Sequence, residues 1–238
     1  MRRLFLAAAL ALAAGPARAE SPRTGSFEFR FSWYRPDIDS EFGGTAHPYA
    51  DAFGGSSAIM FQLAFAKSMW TTEVGTLDLG FGAGYWEKYG VGVTPTGLVG
   101  DRTTLKIIPL QLFVGYRVDY LFERLGIPFA PYARAALVDH LWWVNDGAGN
   151  TASFTSLTGG TSRGSGQTYG YAFTGGVALV LDFFDPTMAR EMDLDAGINH
   201  TLIYGDVTKS VIDDFGSKKS WNMSGAGLVY SAGLQFVF

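Results

Sequence analysis

The sequence predicts an all-β fold: a single antiparallel β-barrel of eight strands that crosses a membrane. The first of three supporting observations is the carboxyl-terminal stretch, which is apolar at every second residue. These residues are Leu228, Tyr230, Ala232, Leu234, Phe236 and Phe238. Ser231, Gly233 and Gln235 lie between them, and such period-two alternation is typical of a strand with two different surroundings.

Composition is the second observation. Aromatic residues make up 15% of the chain and charged residues 17%, with 31 glycines. Beyond the amino-terminal leader, no segment approaches the roughly 18 uninterrupted apolar residues that indicate a membrane-spanning helix. A membrane barrel instead spreads its hydrophobicity over one face of each strand. A secreted soluble β-sandwich would explain the glycines and turns, but explains the one-sided aromatic faces less well.

The third observation is that long and short predicted connections alternate along the chain. Outer-membrane barrels have long loops outside the cell and short turns in the periplasm. An even number of strands places both chain ends on the periplasmic side. Because hydrocarbon demands that every backbone group be paired, the sheet must close on itself.

The amino terminus predicts a cleaved secretory signal over residues 1–19, followed by one barrel domain over residues 20–238. Arg2 and Arg3 precede the apolar run Leu4–Ala14, and Ala17–Ala19 has the A-x-A form of a cleavage site. Cleavage would lower the basic residues from 18 to 15 against 22 acidic ones, so the formal net charge would move from −4 to −7. This balance argues against a nucleic-acid partner. The chain has no cysteine, which excludes disulfides.

Four strands are predicted in the first half of the chain. They are Ser26–Tyr34, Ala58–Lys67, Gly75–Trp86 and Thr104–Val118. Gly80, Gly82 and Gly84 alternate with apolar residues in the third, which would make room inside a narrow barrel. Pro109 removes a donor from the hydrogen-bond ladder of the fourth, so we expect a bulge there.

Four further strands are predicted in the second half. They are Ala130–Trp143, Thr168–Phe183, Leu194–Gly205 and the closing alternation from Leu228 to Phe238. The pattern does not settle the facing of the fifth strand, because Arg134, Asp139 and His140 do not share one parity. Asp185-Pro186 predicts the start of a short helix. Val144–Gln167 is predicted to be a mobile loop, although a hairpin hidden in a long loop would raise the count to ten.

Two groups of aromatic and apolar residues receive specific roles. Aromatic girdles at the membrane interfaces are predicted from seven side chains. These are Trp33, Tyr85, Tyr132, Trp142, Trp143, Tyr169 and Tyr204. The closing residues Tyr230, Leu234, Phe236 and Phe238 resemble the assembly signal of bacterial outer-membrane barrels. This implies the barrel-assembly machinery and periplasmic chaperones as partners.

Several segments resemble a family of outer-membrane β-barrel proteins of Gram-negative bacteria to which no activity is assigned. The segments are Pro36–Phe42, Pro48–Gly54, Ile127–Ala133, Leu181–Pro186 and Gly197–Thr201. In size and layout the chain is also similar to the small OmpA-like and OmpW-like barrels. The resemblance implies a location in the outer membrane and brings no substrate.

The predicted strands direct five charged residues into the barrel. They are Glu28, Arg30, Asp78, Arg117 and Asp182. Mixed charges in a narrow lumen usually pair and plug it, because unpaired buried charges are costly. The alternative is a narrow conduit whose selectivity these residues set.

Candidates for catalysis and metal binding are few. Some barrels modify lipids with a histidine and a serine on the barrel wall, and His200 would be the candidate here. Spacing alone does not establish such a site. The loop carboxylates Asp37, Asp39, Glu41 and the pair Asp213-Asp214 could bind Ca²⁺ or bridge lipopolysaccharide phosphates, but they lack EF-hand spacing. Solvated loop charge is the favoured interpretation, and no cofactor or metal is predicted.

These observations predict a monomeric outer-membrane barrel with a mostly filled lumen and a structural, anchoring or surface-interaction role. Outer-membrane lipid and lipopolysaccharide are its expected partners. A narrow porin-like channel or transporter for small or hydrophobic solutes is the alternative. An envelope lipid-modifying enzyme using His200 is the third hypothesis.

Overall fold

The structure, a computed structural model, describes residues 21–93, 99–155, 161–217 and 220–238. Eight strands form a closed barrel in which each strand pairs antiparallel with the barrel strands before and after it in the chain and the last pairs with the first, which confirms the predicted fold class. The predicted signal segment, residues 1–19, lies outside the described residues. Among the described residues, no helix is both long and apolar enough to cross a bilayer.

Six of the eight barrel strands are longer than the sequence pattern predicts, one keeps its predicted length, and the closing strand is shorter. They are β1 (Gly25–Tyr34), β2 (Ala58–Thr71), β3 (Gly75–Val93), β4 (Val99–Val118), β5 (Phe129–Asn145), β8 (Ser165–Val180), β9 (His200–Ile212) and β10 (Val229–Val237). The helices are α1 (Pro48–Phe53), α2 (Tyr120–Arg124) and α3 (Pro186–Ala196), with 3₁₀ turns at Ile38–Phe42 and Leu181–Phe183. Outside the apolar band, the outward residues of the longer strands are no longer apolar. Alternation in the sequence therefore reveals only the central part of these strands.

A hairpin within the long connection between β5 and β8 accounts for the two extra strands considered above. Its strands, β6 (Ser153–Thr155) and β7 (Thr161–Arg163), pair only with each other. The connection is also tied to the barrel, because the Ala152 amide donates to the Val144 carbonyl at 2.8 Å. The prediction of a mobile loop without packed elements over Val144–Gln167 is therefore wrong for the described residues, 144–155 and 161–167; residues 156–160 lie outside the described part of the chain. The barrel itself keeps eight strands.

The seventh predicted strand, Leu194–Gly205, begins too early. Asp185 caps α3 by accepting hydrogen bonds from the Thr187 and Met188 amides at 3.2 and 3.0 Å. The helix extends over Leu194 and ends at Gly197, whose φ of 68° lies in the left-handed region that glycine adopts easily. Only after this stop does β9 begin. The predicted short helix is confirmed, but it is longer than expected.

The expected bulge at Pro109 is wrong. Ala83 pairs with Leu110 and Trp86 with Ile107, so the register between β3 and β4 is the same on both sides of the proline. The ladder simply skips the intervening pairs, because proline has no amide hydrogen. Gly84 makes room for the ring, since a Cβ built on it would lie 3.1 Å from Pro109 Cγ.

The two ends of the barrel differ. One end, called here the terminal end, holds the first and last described residues together with α2 and α3. The Thr24 and Gly25 amides donate to the Phe238 carbonyl at 2.6 and 2.9 Å. The opposite end, called the loop end, holds the connections β1–β2, β3–β4, β5–β8 and β9–β10. The connection β8–β9 at the terminal end is not short, because it contains α3.

Candidate functional site

The lumen is centred on Glu28, which lies on β1 and is 1% exposed. Both carboxylate oxygens of Glu28 accept hydrogen bonds from the Arg134 guanidinium on β5, one of them at 2.7 Å. Gln235 Nε2 donates to Glu28 Oε1 at 2.9 Å. The two-pronged contact fixes Arg134 in place and satisfies the buried charge from both sides.

Arg30 occupies the next inward position along β1. Its guanidinium lies 3.1 Å from the Asp206 carboxylate and 5.5 Å from the Tyr204 ring centroid. The Tyr132 hydroxyl donates to Asp206 Oδ2 at 2.6 Å. Tyr204 also donates to the Phe29 carbonyl at 3.2 Å. The ion pair is thus enclosed by aromatic rings whose hydroxyl groups are hydrogen-bonded.

A second charged group closes the terminal end of the lumen. Arg117 Nε donates to Asp119 Oδ1 at 2.7 Å, and Thr76 Oγ1 donates to Asp119 Oδ2 at 2.6 Å. Arg23, just outside the strands, lies 3.8 Å from the Asp119 carboxylate and also pairs with Glu123. Pairing of this kind is what buried charges require to remain ionised.

These charges leave little free space. A cavity of about 10 Å³ lies between them, which is close to the room that one water molecule needs. It is bordered by Asp78, Arg117, Arg134 and Gln235. Asp78 accepts a hydrogen bond from Ser68 at 2.9 Å. An interior of this size is filled by side chains, as expected for an eight-stranded barrel.

Of the five lumen residues expected from the sequence, the structure brings four into the interior. Glu28, Arg30, Asp78 and Arg117 are buried there. Asp182 is not among them, because β8 ends at Val180 and Asp182 lies in the 3₁₀ turn Leu181–Phe183. It pairs with His200 Nδ1 at 2.5 Å and accepts the Thr201 amide at 3.1 Å, at the terminal end of the barrel.

Sequence reasoning missed the partners of these four residues. Arg134, Asp206, Asp119, Tyr132 and Tyr204 complete the network. The facing of Arg134 could not be predicted, because Asp139 on the same strand has the opposite parity. Asp139 faces outward and accepts a hydrogen bond from Gln167 at 2.6 Å.

The predicted girdle contains three residues that point inward instead. Tyr132 and Tyr204 belong to the network, and Trp142 is buried in the lumen. Their even parity on β5 and β9 is the signal that could have corrected the prediction. Trp33, Tyr85 and Tyr169 face outward and are exposed.

Towards the loop end the interior becomes apolar. Its largest fully buried side chains include Trp86, Leu105, Ile107 and Met223. His140 is buried among them, with its ring edge-to-face against Tyr34 at 5.8 Å. The lumen is therefore filled by two kinds of side chains. An ionic network occupies the half near the terminal end, and a packed apolar core occupies the half near the loop end.

Loop residues complete that apolar core, and they form what we call the cap: residues 35–57 and 220–228. Ile38, Tyr49 and Met223 contribute buried side chains. The Tyr34 hydroxyl donates to the Met223 carbonyl at 2.5 Å, and Trp142 stacks on Trp221 at 4.4 Å. The cap is therefore packed into the barrel mouth as part of the same core.

Backbone and carboxylate hydrogen bonds join the two parts of the cap. The Asp37 amide donates to the Ser224 carbonyl at 2.9 Å, and Asn222 Nδ2 donates to Ser40 Oγ at 3.0 Å. Asp39 accepts the Tyr49 and Ala50 amides at 2.7 and 3.1 Å, at the start of α1. Glu41 accepts the Asn222 amide. These carboxylates thus hold the cap together.

Burial affects two titratable groups of the cap. Removal from water raises the pKa of the Glu41 carboxyl above its usual range, and the nearby Asp213 charge adds to this shift. Burial likewise raises the pKa of Tyr49 to about 12. Both groups therefore prefer their neutral form more strongly than they would in a solvated loop.

The outer surface of the barrel is apolar over its central height. Odd residues of β1, β3, β5, β8 and β9, and of β2 as far as the register shift after Ser68, face away from the lumen, as do even residues of β4 and β10. Exposed members include Trp33, Ile59, Phe81, Leu112, Leu137, Phe173 and Ile203, with Phe81 at 62% and Leu137 at 61%. A continuous band of this kind would be poorly soluble in water and is suited to lipid. Closed sheet, filled lumen and apolar band together define a small transmembrane β-barrel.

Comparisons with known proteins add little to this class assignment. No family model matches the chain, and no curated protein does. Among solved structures, OprG of Pseudomonas aeruginosa is 14% identical with a TM-score of 0.44, covering 91% of this chain and 97% of its own. The attachment invasion protein Ail of Yersinia pestis is 10% identical with a TM-score of 0.41, covering 92% of this chain and 100% of its own.

The amino-terminal barrel domain of Pseudomonas aeruginosa OprF is 12% identical, with a TM-score of 0.39, and the match covers 91% of this chain and 100% of that domain. A likeness of this strength carries no information about what this chain binds. The assignment to the class of transmembrane barrels therefore stands on the closed sheet and the apolar band.

Proposed function

We propose that the chain is an outer-membrane protein whose closed barrel anchors a structured cap at the cell surface and does not conduct solutes. The filled lumen is the observation that carries this proposal. Charged pairs occupy the terminal half and an apolar core occupies the loop half. The cavity of about 10 Å³ between the charges is too small for a hydrated ion.

Two features support the outer-membrane location and the orientation. A closed sheet pairs its backbone groups without water, which is the condition for crossing a bilayer with strands. The apolar band around it suits contact with lipid. The first and last described residues lie together at one end, and three long connections, β1–β2, β5–β8 and β9–β10, lie at the other, as outer-membrane barrels are arranged. The β8–β9 connection, which contains α3, is the exception. In that arrangement the cap faces the outside of the cell.

The packing of the cap supports an anchoring role. A gating loop would have to leave the barrel mouth, but Tyr49 and Met223 are almost completely buried in the barrel core. Removing one large buried apolar side chain from its site costs roughly 2–5 kcal/mol. The cap is therefore held as a fixed surface, which suits contact with envelope components or other cells better than gating.

Ion conductance in a planar lipid bilayer tests the proposal. We expect no discrete current steps from protein whose folding and insertion have been verified by resistance to protease. A porin in the same membrane is the positive control. The double variant Glu28→Ala/Arg134→Ala, which removes both sides of the central pair, should show more leakage than the native chain. Discrete, reproducible steps from the native protein would refute the closed lumen and favour a narrow channel.

A further inference from the structure

The outward faces of β3 and β4 change from apolar to charged residues at the same height along the barrel axis. On β3 the apolar run Leu77, Leu79, Phe81, Ala83 ends at Tyr85 and is followed by Glu87. On β4 the outward run through Leu112 and Leu110 ends at Lys106, which lies directly opposite Glu87. A spanning strand needs only about 9–11 residues. β3 has 19 residues and β4 has 20, so their outer parts rise above the hydrocarbon.

The Glu87 carboxylate is already occupied. The Tyr85 hydroxyl donates to Glu87 Oε2 at 2.7 Å, and the Tyr89 hydroxyl donates to Glu87 Oε1 at 2.8 Å. All three side chains lie on the outward face of β3. The hydrogen bonds hold both tyrosines in fixed orientations, and Tyr89 is 70% exposed.

Lys106 lies on the outward face of β4 and is partly exposed. The hydrogen bonds from Tyr85 and Tyr89, and to a lesser extent the charge of Lys106 opposite, hold the pKa of the Glu87 carboxyl below its usual range. Both oxygens of Glu87 accept from the tyrosine hydroxyls, so the ammonium of Lys106 keeps its hydrogen-bond donors for another acceptor. On the other side, Trp143 of β5 lies opposite Lys106 in the register, and its odd position places it on the outward face. Lys106 is thus a cation flanked by aromatic residues at the upper edge of the apolar band.

We propose that this patch, made of Tyr85, Glu87, Tyr89, Lys106 and Trp143, binds the headgroup of a phosphorylated glycolipid of the outer leaflet. The Lys106 ammonium meets a phosphate, and the flat faces of Tyr89 and Trp143 meet sugar rings. Glu87 serves as a positioning residue for the two tyrosines. The inference rests on the proposed outer-membrane location, since the patch is continuous with the lipid-facing band and lies at its outer edge.

Retention of lipopolysaccharide by the refolded full-length protein tests the inference. The probes are purified lipopolysaccharide and the same material after enzymatic removal of its lipid A phosphates. Near a membrane surface one lysine is worth about 1 kcal/mol, so Lys106→Ala should weaken retention of the phosphorylated probe about fivefold. Lys67→Ala is the matched control, because Lys67 also faces outward and is exposed but lies near the terminal end of β2.

The measurements distinguish a failure of the proposed glycolipid site from a failure of the proposed outer-membrane location. Folding and insertion of each variant into phospholipid vesicles is measured first, and failure of the native protein to insert would refute the proposed membrane function. If insertion succeeds, three results would overturn the glycolipid site. They are no retention by the native protein, equal losses in Lys106→Ala and Lys67→Ala, and equal retention of the dephosphorylated probe.

Discussion

At the scale of single residues, the pair formed by Glu28 and Arg134 is the contact on which the lumen most depends. Arg134 also lies 4.9 Å from the Phe113 ring centroid and 5.1 Å from that of Tyr132, so it joins the ionic and aromatic parts of the interior. Removing one member leaves the other charge buried without a partner.

We therefore predict that Arg134→Ala lowers the free energy of unfolding by roughly 3–5 kcal/mol. Urea-induced unfolding in detergent micelles would measure it. The double variant Glu28→Gln/Arg134→Met, which removes both charges and keeps the volume, should lose less than the single variant. A single variant that is as stable as the native protein would show that the pair is solvated.

The inward glycines of β3 give a second test at this scale. A Cβ on Gly80 would lie 2.4 Å from Phe113 Cζ and 2.7 Å from the Phe65 carbonyl oxygen. Gly175 on β8 is outward and has no neighbouring atom within 4 Å of such a Cβ. Gly80→Ala should lower stability by about 1–3 kcal/mol through overpacking, whereas Gly175→Ala should not. Equal thermal midpoints for the two variants would contradict the close packing of β4 side chains against β3.

At the scale of elements, the closing strand joins the two ends of the sheet. The Phe238 amide donates to the Gly25 carbonyl at 3.0 Å, its carbonyl accepts from Thr24 and Gly25, and its ring lies 5.9 Å from that of Phe65. The last residue is thus part of the seam that closes the barrel, as well as a predicted assembly signal.

Deleting Phe238 should therefore lower the amount of protein in the outer membrane of cells. The deletion should also slow refolding into micelles, where no assembly machinery is present. The reason is that the seam loses the backbone hydrogen bonds made by Phe238 with Thr24 and Gly25. Phe238→Trp keeps the backbone and an aromatic ring and serves as the control. Normal outer-membrane levels of the truncated chain would refute the hypothesis that Phe238 is part of an assembly signal. Loss in cells with unchanged refolding would restrict its role to recognition.

At the scale of the whole molecule, period-two alternation predicted eight strands, with ten left open, and the facing of most of them. Closure followed from the need to pair every backbone group in hydrocarbon. Every predicted outward residue of the closing strand faces away from the lumen. What alternation could not provide was the pairing across the lumen. The contact of Glu28 with Arg134 joins residues 106 positions apart, and it depends on how eight strands curve around a common axis.

The cap escaped prediction for a related reason. Ile38, Tyr49 and Met223 stand in segments without periodicity, rich in glycine, serine and aspartate, and so they resemble solvated loops. They are buried because the barrel mouth offers an apolar surface formed by Trp86, Leu105 and Ile107. Trp86, Leu105 and Ile107 lie within the strands predicted from the sequence, but period-two alternation does not show which loop side chains pack against them.

Reaction of single introduced cysteines with a membrane-impermeant thiol reagent tests the closed, membrane-spanning barrel most directly. The chain contains no cysteine, so each variant reports on one site. Ser57→Cys lies at the loop end, and Glu73→Cys lies in the turn between β2 and β3 at the terminal end. Both positions are exposed. Ser32→Cys and Ser231→Cys probe the lumen, where the two native side chains are buried with their hydroxyl oxygens 2.9 Å apart.

In whole cells we predict that Ser57→Cys reacts at once and that Glu73→Cys reacts only after the outer membrane is opened. Ser32→Cys and Ser231→Cys should stay unreactive until the protein is unfolded. If the two lumen positions reacted as fast as Ser57→Cys, the lumen would be open to water and the account of a closed barrel would be wrong.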